Sequence, residues 1–103
     1  MWNYFAALEQ HDEVESNLIR EIIEQYLKPH GIAILDFFYD KKHFGNIVLT
    51  IEDASGESIE CVDDRGSFRV GYRPSIVDFE YDDSTPYTRA LGFARYIVET
   101  LDK

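Results

Sequence analysis

The stretch from Phe44 to Tyr72 constrains most tightly what this chain can fold into. It holds alternating apolar and polar runs separated by polar turns. Ile47, Leu49 and Ile51 share one face of the first run, with Asn46, Thr50 and Glu52 on the other. Phe68, Val70 and Tyr72 repeat the pattern against Ser67, Arg69 and Gly71. Period-two alternation of β-branched and aromatic residues predicts half-buried antiparallel strands. Ala54-Ser55-Gly56 and Asp63-Asp64-Arg65-Gly66 supply the turns, each ending on a glycine that can take a positive φ. A sheet with one apolar face must cover it, and the segments on both sides read as helices.

The 103 residues make a single domain, 1–103. A chain of this size buries roughly 60–70% of the surface its unfolded form would expose. Hydrophobic residues make up 45% of it and aromatics 15%, enough for a core and too many for a disordered chain. The 20 acidic residues outnumber the 10 basic ones, for a net charge of −10. Such a surface repels nucleic acid and anionic membrane; it suits a basic partner, or solubility alone. Cys61 is the single cysteine, so no internal disulfide forms and its default role is a small buried hydrophobe. No apolar run is long enough to span a bilayer. The apolar start lacks the basic region of a signal peptide, and a cytoplasmic location is the expectation.

Residues 1–12 read as an N-terminal arm, with Trp2, Tyr4, Phe5 and Leu8 docked on the body or anchoring a partner. A helix is predicted from about Glu13 to Lys28, with Asp12 and Glu15 as a capping pair. Its stripe is Val14, Leu18, Ile22 and Leu27, flanked by Ile19, Ile23 and Tyr26. Pro29 and Gly31 stop it. Ile32 to Tyr39 is apolar on both faces apart from Asp36, which predicts a central strand or one covered on its second face too. Ile76 to Tyr81 alternates and reads as a fifth, edge strand, or else as a long irregular loop. Ser84 or Thr85 caps a closing helix that starts at Pro86 and runs to about Leu101. Tyr87, Ala90, Leu91, Ala94, Ile97, Val98 and Leu101 form its stripe. Phe93 and Tyr96 lie off the centre and are expected to meet the first helix or the arm.

The chemistry-bearing residues are scattered. No glycine spacing precedes a helix in the manner of a phosphate loop. Asp53-Ala54-Ser55-Gly56-Glu57 lacks the ligand spacing of a calcium loop and reads as a hairpin turn. Ser55, Ser67, Ser84, Cys61, His11, His30 and His43 form no recognisable triad, and His43 reads as a solvated loop histidine. No enzymatic activity, cofactor or metal is expected.

The most suggestive stretch is Asp78-Phe79-Glu80-Tyr81-Asp82-Asp83, where acids and aromatics are interleaved. Asp63 and Asp64 continue the same charge in another turn. Fixed carboxylates beside aromatic rings make a seat for arginine and lysine, through charge-assisted bonds and cation–π contact. Capping of the following helix explains the same acids without a partner.

Phe44-Gly45-Asn46 opening a strand, the acidic turn with glycine, and Val62-x-Asp64-Arg65-Gly66 leading into Phe68-x-Val70 resemble small bacterial immunity proteins. Those accompany secreted polymorphic toxins, including the toxins of contact-dependent inhibition. The resemblance covers residues 44–72 and the capped helix after them. It implies a cytoplasmic protein that binds and blocks one toxin, often an acidic face against a basic nuclease. In this chain Asp64, Arg65 and Gly66 would then be scaffold, because a tight turn explains them, and toxin-contacting positions, which differ among members, do not carry over.

Together these readings predict an α+β fold. A four- to five-stranded, mainly antiparallel sheet carries an N-terminal and a C-terminal helix on one face. The expected function is neutralisation of a basic toxin, with Asp63, Asp64 and residues 78–83 as the contact. The alternative is a self-associating structural or regulatory protein, a homodimer held through Trp2, Tyr4 and Phe38.

Overall fold

The two hairpins of the central stretch form as their alternation requires. The computed structural model describes the backbone of residues 4–102 and the side chains of residues 13–102. A helix, α1 (Tyr4–Leu27), and a short 3₁₀ turn (Lys28–His30) precede four strands: β1 (Ala33–Asp40), β2 (Asn46–Glu52), β3 (Ser58–Asp64) and β4 (Ser67–Val70). A second helix, α2 (Pro86–Leu101), closes the chain. The strands stand in chain order in one antiparallel sheet. This is the expected α+β fold, with a four-stranded sheet and both helices on one face.

Register decides which face is buried. Ile47 lies opposite Asp63, Leu49 opposite Cys61 and Ile51 opposite Ile59; Cys61 and Asp63 in turn face Val70 and Phe68. All of these side chains point to the helices, and all are at most 8% exposed. From α1, Ile19, Ile23 and Leu27 meet them; from α2, Ala90, Phe93, Ala94 and Ile97 do. Each fully buried aliphatic or aromatic side chain here stabilises the fold by roughly 1.5–3 kcal/mol.

Each turn has its own cause. Arg65 and Gly66 form a two-residue connection with both φ values positive, 55° and 86°, the primed geometry that matches strand twist. Between β2 and β3, Asp53 Oδ1 accepts from the Ser55 hydroxyl at 2.6 Å, the Glu57 amide at 2.8 Å and the Ser55 amide at 2.9 Å. These bonds, the Ser55 hydroxyl foremost, hold the Asp53 carboxyl below the usual carboxylate range. The hairpin turn is borne out. Thr85 is the cap of α2: its hydroxyl accepts from the Thr88 amide at 3.1 Å while Thr88 Oγ1 accepts from the Thr85 amide at 3.2 Å.

Several expectations are corrected. The first helix starts at Tyr4, so Asp12 lies inside it and is no cap. How Trp2, Tyr4, Phe5 and Leu8 are placed lies outside the described side chains. The buried line of α1 is Ile19–Ile23–Leu27, whereas Val14 and Leu18 are 55% and 43% exposed. The first strand is an edge strand. A bulge between Ile34 and Asp36 shifts its register, and Leu35 and Phe38 face outward. Residues 76–81 are irregular, because their aromatic rings pack against a helix and β4 and the backbone forms no ladder. Phe93 and Tyr96 are buried against Phe68 and that irregular segment, with ring centroids 5.1 Å and 5.5 Å from Phe68.

Candidate functional site

The acidic run lies on the irregular segment between β4 and α2, which crosses the aromatic cluster as a strap. Its two rings face inward. Tyr81 sits 4.6 Å from Phe68, centroid to centroid, and Phe79 meets Tyr96 edge-on at 5.2 Å. The Tyr81 hydroxyl donates to the Gly66 carbonyl at 2.7 Å, and the Ile76 amide donates to the Tyr96 hydroxyl at 3.2 Å. Burial, first, and the nearby Asp63 charge push the Tyr81 hydroxyl pKa up. Gly92 makes this seat possible. A Cβ there would stand 2.7 Å from the Tyr81 Cβ and 2.8 Å from its ring. The strap therefore lies directly on α2 where the helix has no side chain.

With the rings turned in, the carboxylates turn out. Asp78, Glu80, Asp82 and Asp83 are all exposed. Asp78 reaches this position through a left-handed backbone, φ 62°, a conformation aspartate tolerates better than most residues. Asp82 accepts from the Ser84 amide at 2.8 Å, and its pKa is lowered, chiefly by the Ser84 hydroxyl. The anticipated cation–π seat is altered. Phe79 is already covered by Arg95 of α2, 5.1 Å from the ring centroid, and Tyr81 faces Phe68.

Asp63 and Asp64, adjacent in sequence, part company. Asp64 is exposed at the end of β3. Asp63 is fully buried, so it leaves the contact set. Its Oδ1 accepts from Arg89 Nη2 at 2.6 Å and from the Gly66 amide at 2.9 Å; its Oδ2 accepts from Arg89 Nε at 2.7 Å. Arg89 Nη1 also donates to the Phe44 carbonyl at 2.6 Å. This two-pronged pair ties α2 to β3 and to the β1–β2 turn. The Asp63 hydrogen bond, first, raises the Arg89 pKa further. A buried carboxylate requires such saturation. Among the described residues, no buried side-chain nitrogen or oxygen lacks a partner.

Sequence reasoning missed Arg89, though signals for it exist. Asp63 follows Ile59 and Cys61 at a spacing of two, which points it inward. Arg89 precedes Phe93 by one helical turn, which points it at the sheet.

A cleft of about 290 Å³ opens beside this pair, lined among others by Glu15, Tyr39, Lys41, Asp83, Thr85 and Arg89. Its cations are held internally, Lys41 Nζ 3.1 Å from Glu15 Oε2 and Arg89 by Asp63, while Asp83 is exposed. The Thr85 hydroxyl is used by the helix cap. Elsewhere, burial pushes the Cys61 thiol up to about 12, which leaves it a poor nucleophile. Among the described residues, no group of three His, Cys, Asp or Glu side chains converges as a metal site, and no helix is long and apolar enough to cross a membrane. The arrangement offers exposed acceptor groups on a strap whose rings pack against the core.

Compared with known proteins, this chain matches no family model, no curated protein and no solved structure.

Proposed function

We propose that the chain is a binding protein that acts without catalysis, neutralising a basic bacterial toxin by covering its active or substrate-binding surface. The observation that carries this reading is the strap. Its rings pack against the core, and Asp78, Glu80, Asp82 and Asp83 stand exposed on a backbone held by Tyr81, Gly66 and Gly92. A preorganised set of carboxylates loses little freedom when a cationic surface docks on it. The net charge of −10 speeds capture of such a partner and makes binding weaken with added salt. The toxin as partner rests on the resemblance of residues 44–72 to immunity proteins, and a nuclease is the basic toxin that suits this charge. The bacterial cytoplasm is where such a protein would work.

The test is co-expression with the carboxy-terminal domain of a secreted toxin encoded beside the gene. The chain should restore growth. Restoration should be lost when Asp78, Glu80, Asp82 and Asp83 are changed to lysine and weakened when they are changed to Asn and Gln, with near-UV circular dichroism confirming the fold. Full protection by the folded lysine variant would refute the strap as the contact.

A further inference from the structure

The sheet has a second face, which no helix covers among the described residues. On it, Phe38 lies opposite Val48, and Val48 opposite Val62, in one row across three strands. Phe38 is 60% exposed and Val48 41%. The rows on either side of this apolar row carry carboxylates on β1 and β3. Asp36 and Glu60 flank it across Thr50, and Asp40 and Asp64 flank it across Asn46. A cation, Arg69, closes the apolar row, and it is already 3.1 Å from Glu60. An apolar centre with a charged rim is the anatomy of an interface.

Charge decides the occupant. A second copy would set these acids against their own kind, with each chain at −10. An anionic bilayer is repelled for the same reason. A basic protein surface is attracted, and the apolar row gives it a place for one large side chain.

We propose that the uncovered face of the sheet is a docking surface for a basic protein, which seats an apolar side chain on Phe38, Val48 and Val62 and sets lysines or arginines on the flanking carboxylates. This rests on the reading of a basic partner and adds an anchor on a surface separate from the strap. The apolar row supplies the slow dissociation, and the acids supply the fast approach.

The experiment titrates the full-length, ¹⁵N-labelled chain with two synthetic peptides. Both are rich in lysine and arginine; one carries a central tryptophan and the other a serine in its place. The tryptophan peptide should shift amides of residues 36–40, 46–50 and 60–64. It should bind about tenfold or more tightly than the serine peptide. Phe38→Ser should abolish that difference while leaving the remaining amide spectrum in place; Val48→Ser serves as a second variant. Equal binding of the two peptides, with shifts confined to residues 78–83, overturns the proposal and leaves the strap reading standing. Failure of both peptides to bind overturns both. Concentration-dependent dimerisation in sedimentation that Phe38→Ser removes assigns the face to a second copy and overturns it as well.

Discussion

On the helix side of the sheet, Ile47, Leu49, Ile51, Cys61 and Val70 are at most 2% exposed, and the one acid among them, Asp63, is gripped by Arg89. On the other side, Phe38 and Val48 remain open, and Glu60 meets Arg69 with both side chains about half exposed. The strands alternate with the same period on both sides, and each side contains a carboxylate–guanidinium pair. What separates them is water. Removing one partner of a dry pair strands a charge, whereas an exposed pair exchanges its partner for solvent at little cost. The covered face therefore holds the stability, and the open face can carry side chains chosen for something else.

The largest test of this contrast replaces one acid on each face. Asp63→Ala should destabilise by about 3–5 kcal/mol, since it leaves Arg89 unpaired. Glu60→Ala should cost less than about 1 kcal/mol. Urea unfolding measures both, and equal costs would erase the distinction between the faces.

Gly92→Ala comes next. Alanine is ordinarily the better helix former by about 1 kcal/mol. Here its methyl would overlap Tyr81, and overpacking of that kind costs about 1–3 kcal/mol, so net destabilisation is expected. A rise in melting temperature would mean that the strap is not seated on α2.

Tyr81→Phe is smaller, at about 0.5–1 kcal/mol for the bond to Gly66. It also changes the pH profile. The folded-state pKa of Tyr81 is raised, so its stabilisation is complete below the unfolded value of about 10 and fades as pH climbs through the folded value. The wild-type chain should lose stability above about pH 10, and Tyr81→Phe should lose it less steeply, in denaturant titrations across that range.

The hairpins and the cap of α2 were legible in the sequence because their signals are local: alternation, an Arg65-Gly66 turn, and Thr85 before Pro86. The helix stripes were less so. A band as wide as that of α1 leaves its centre open, and only the sheet decides that Ile19, Ile23 and Leu27 point in while Val14 and Leu18 point out. An edge strand apolar on both faces imitates a central one, and the bulge at Leu35 has no local signature. The strap imitates a strand because aromatics at alternate positions serve a sheet and a ring cluster equally well. Its carboxylates were found by charge alone, but the inward turn of Tyr81 depends on Gly92, about two helical turns beyond the cap. Asp63 and Asp64 looked equivalent as neighbours, although the two-residue spacing from Ile59 and Cys61 already sets Asp63 on the buried face.

The smallest expected effect on stability belongs to the face with the proposed anchor. The double variant Phe38→Ser and Val48→Ser tests the division of labour most directly, through its unfolding midpoint and its affinity for the tryptophan-bearing cationic peptide in one buffer. The division requires stability within about 1 kcal/mol of the wild type and affinity lower by about tenfold or more. A variant that unfolds far more readily yet binds the peptide as well as the wild type would contradict it.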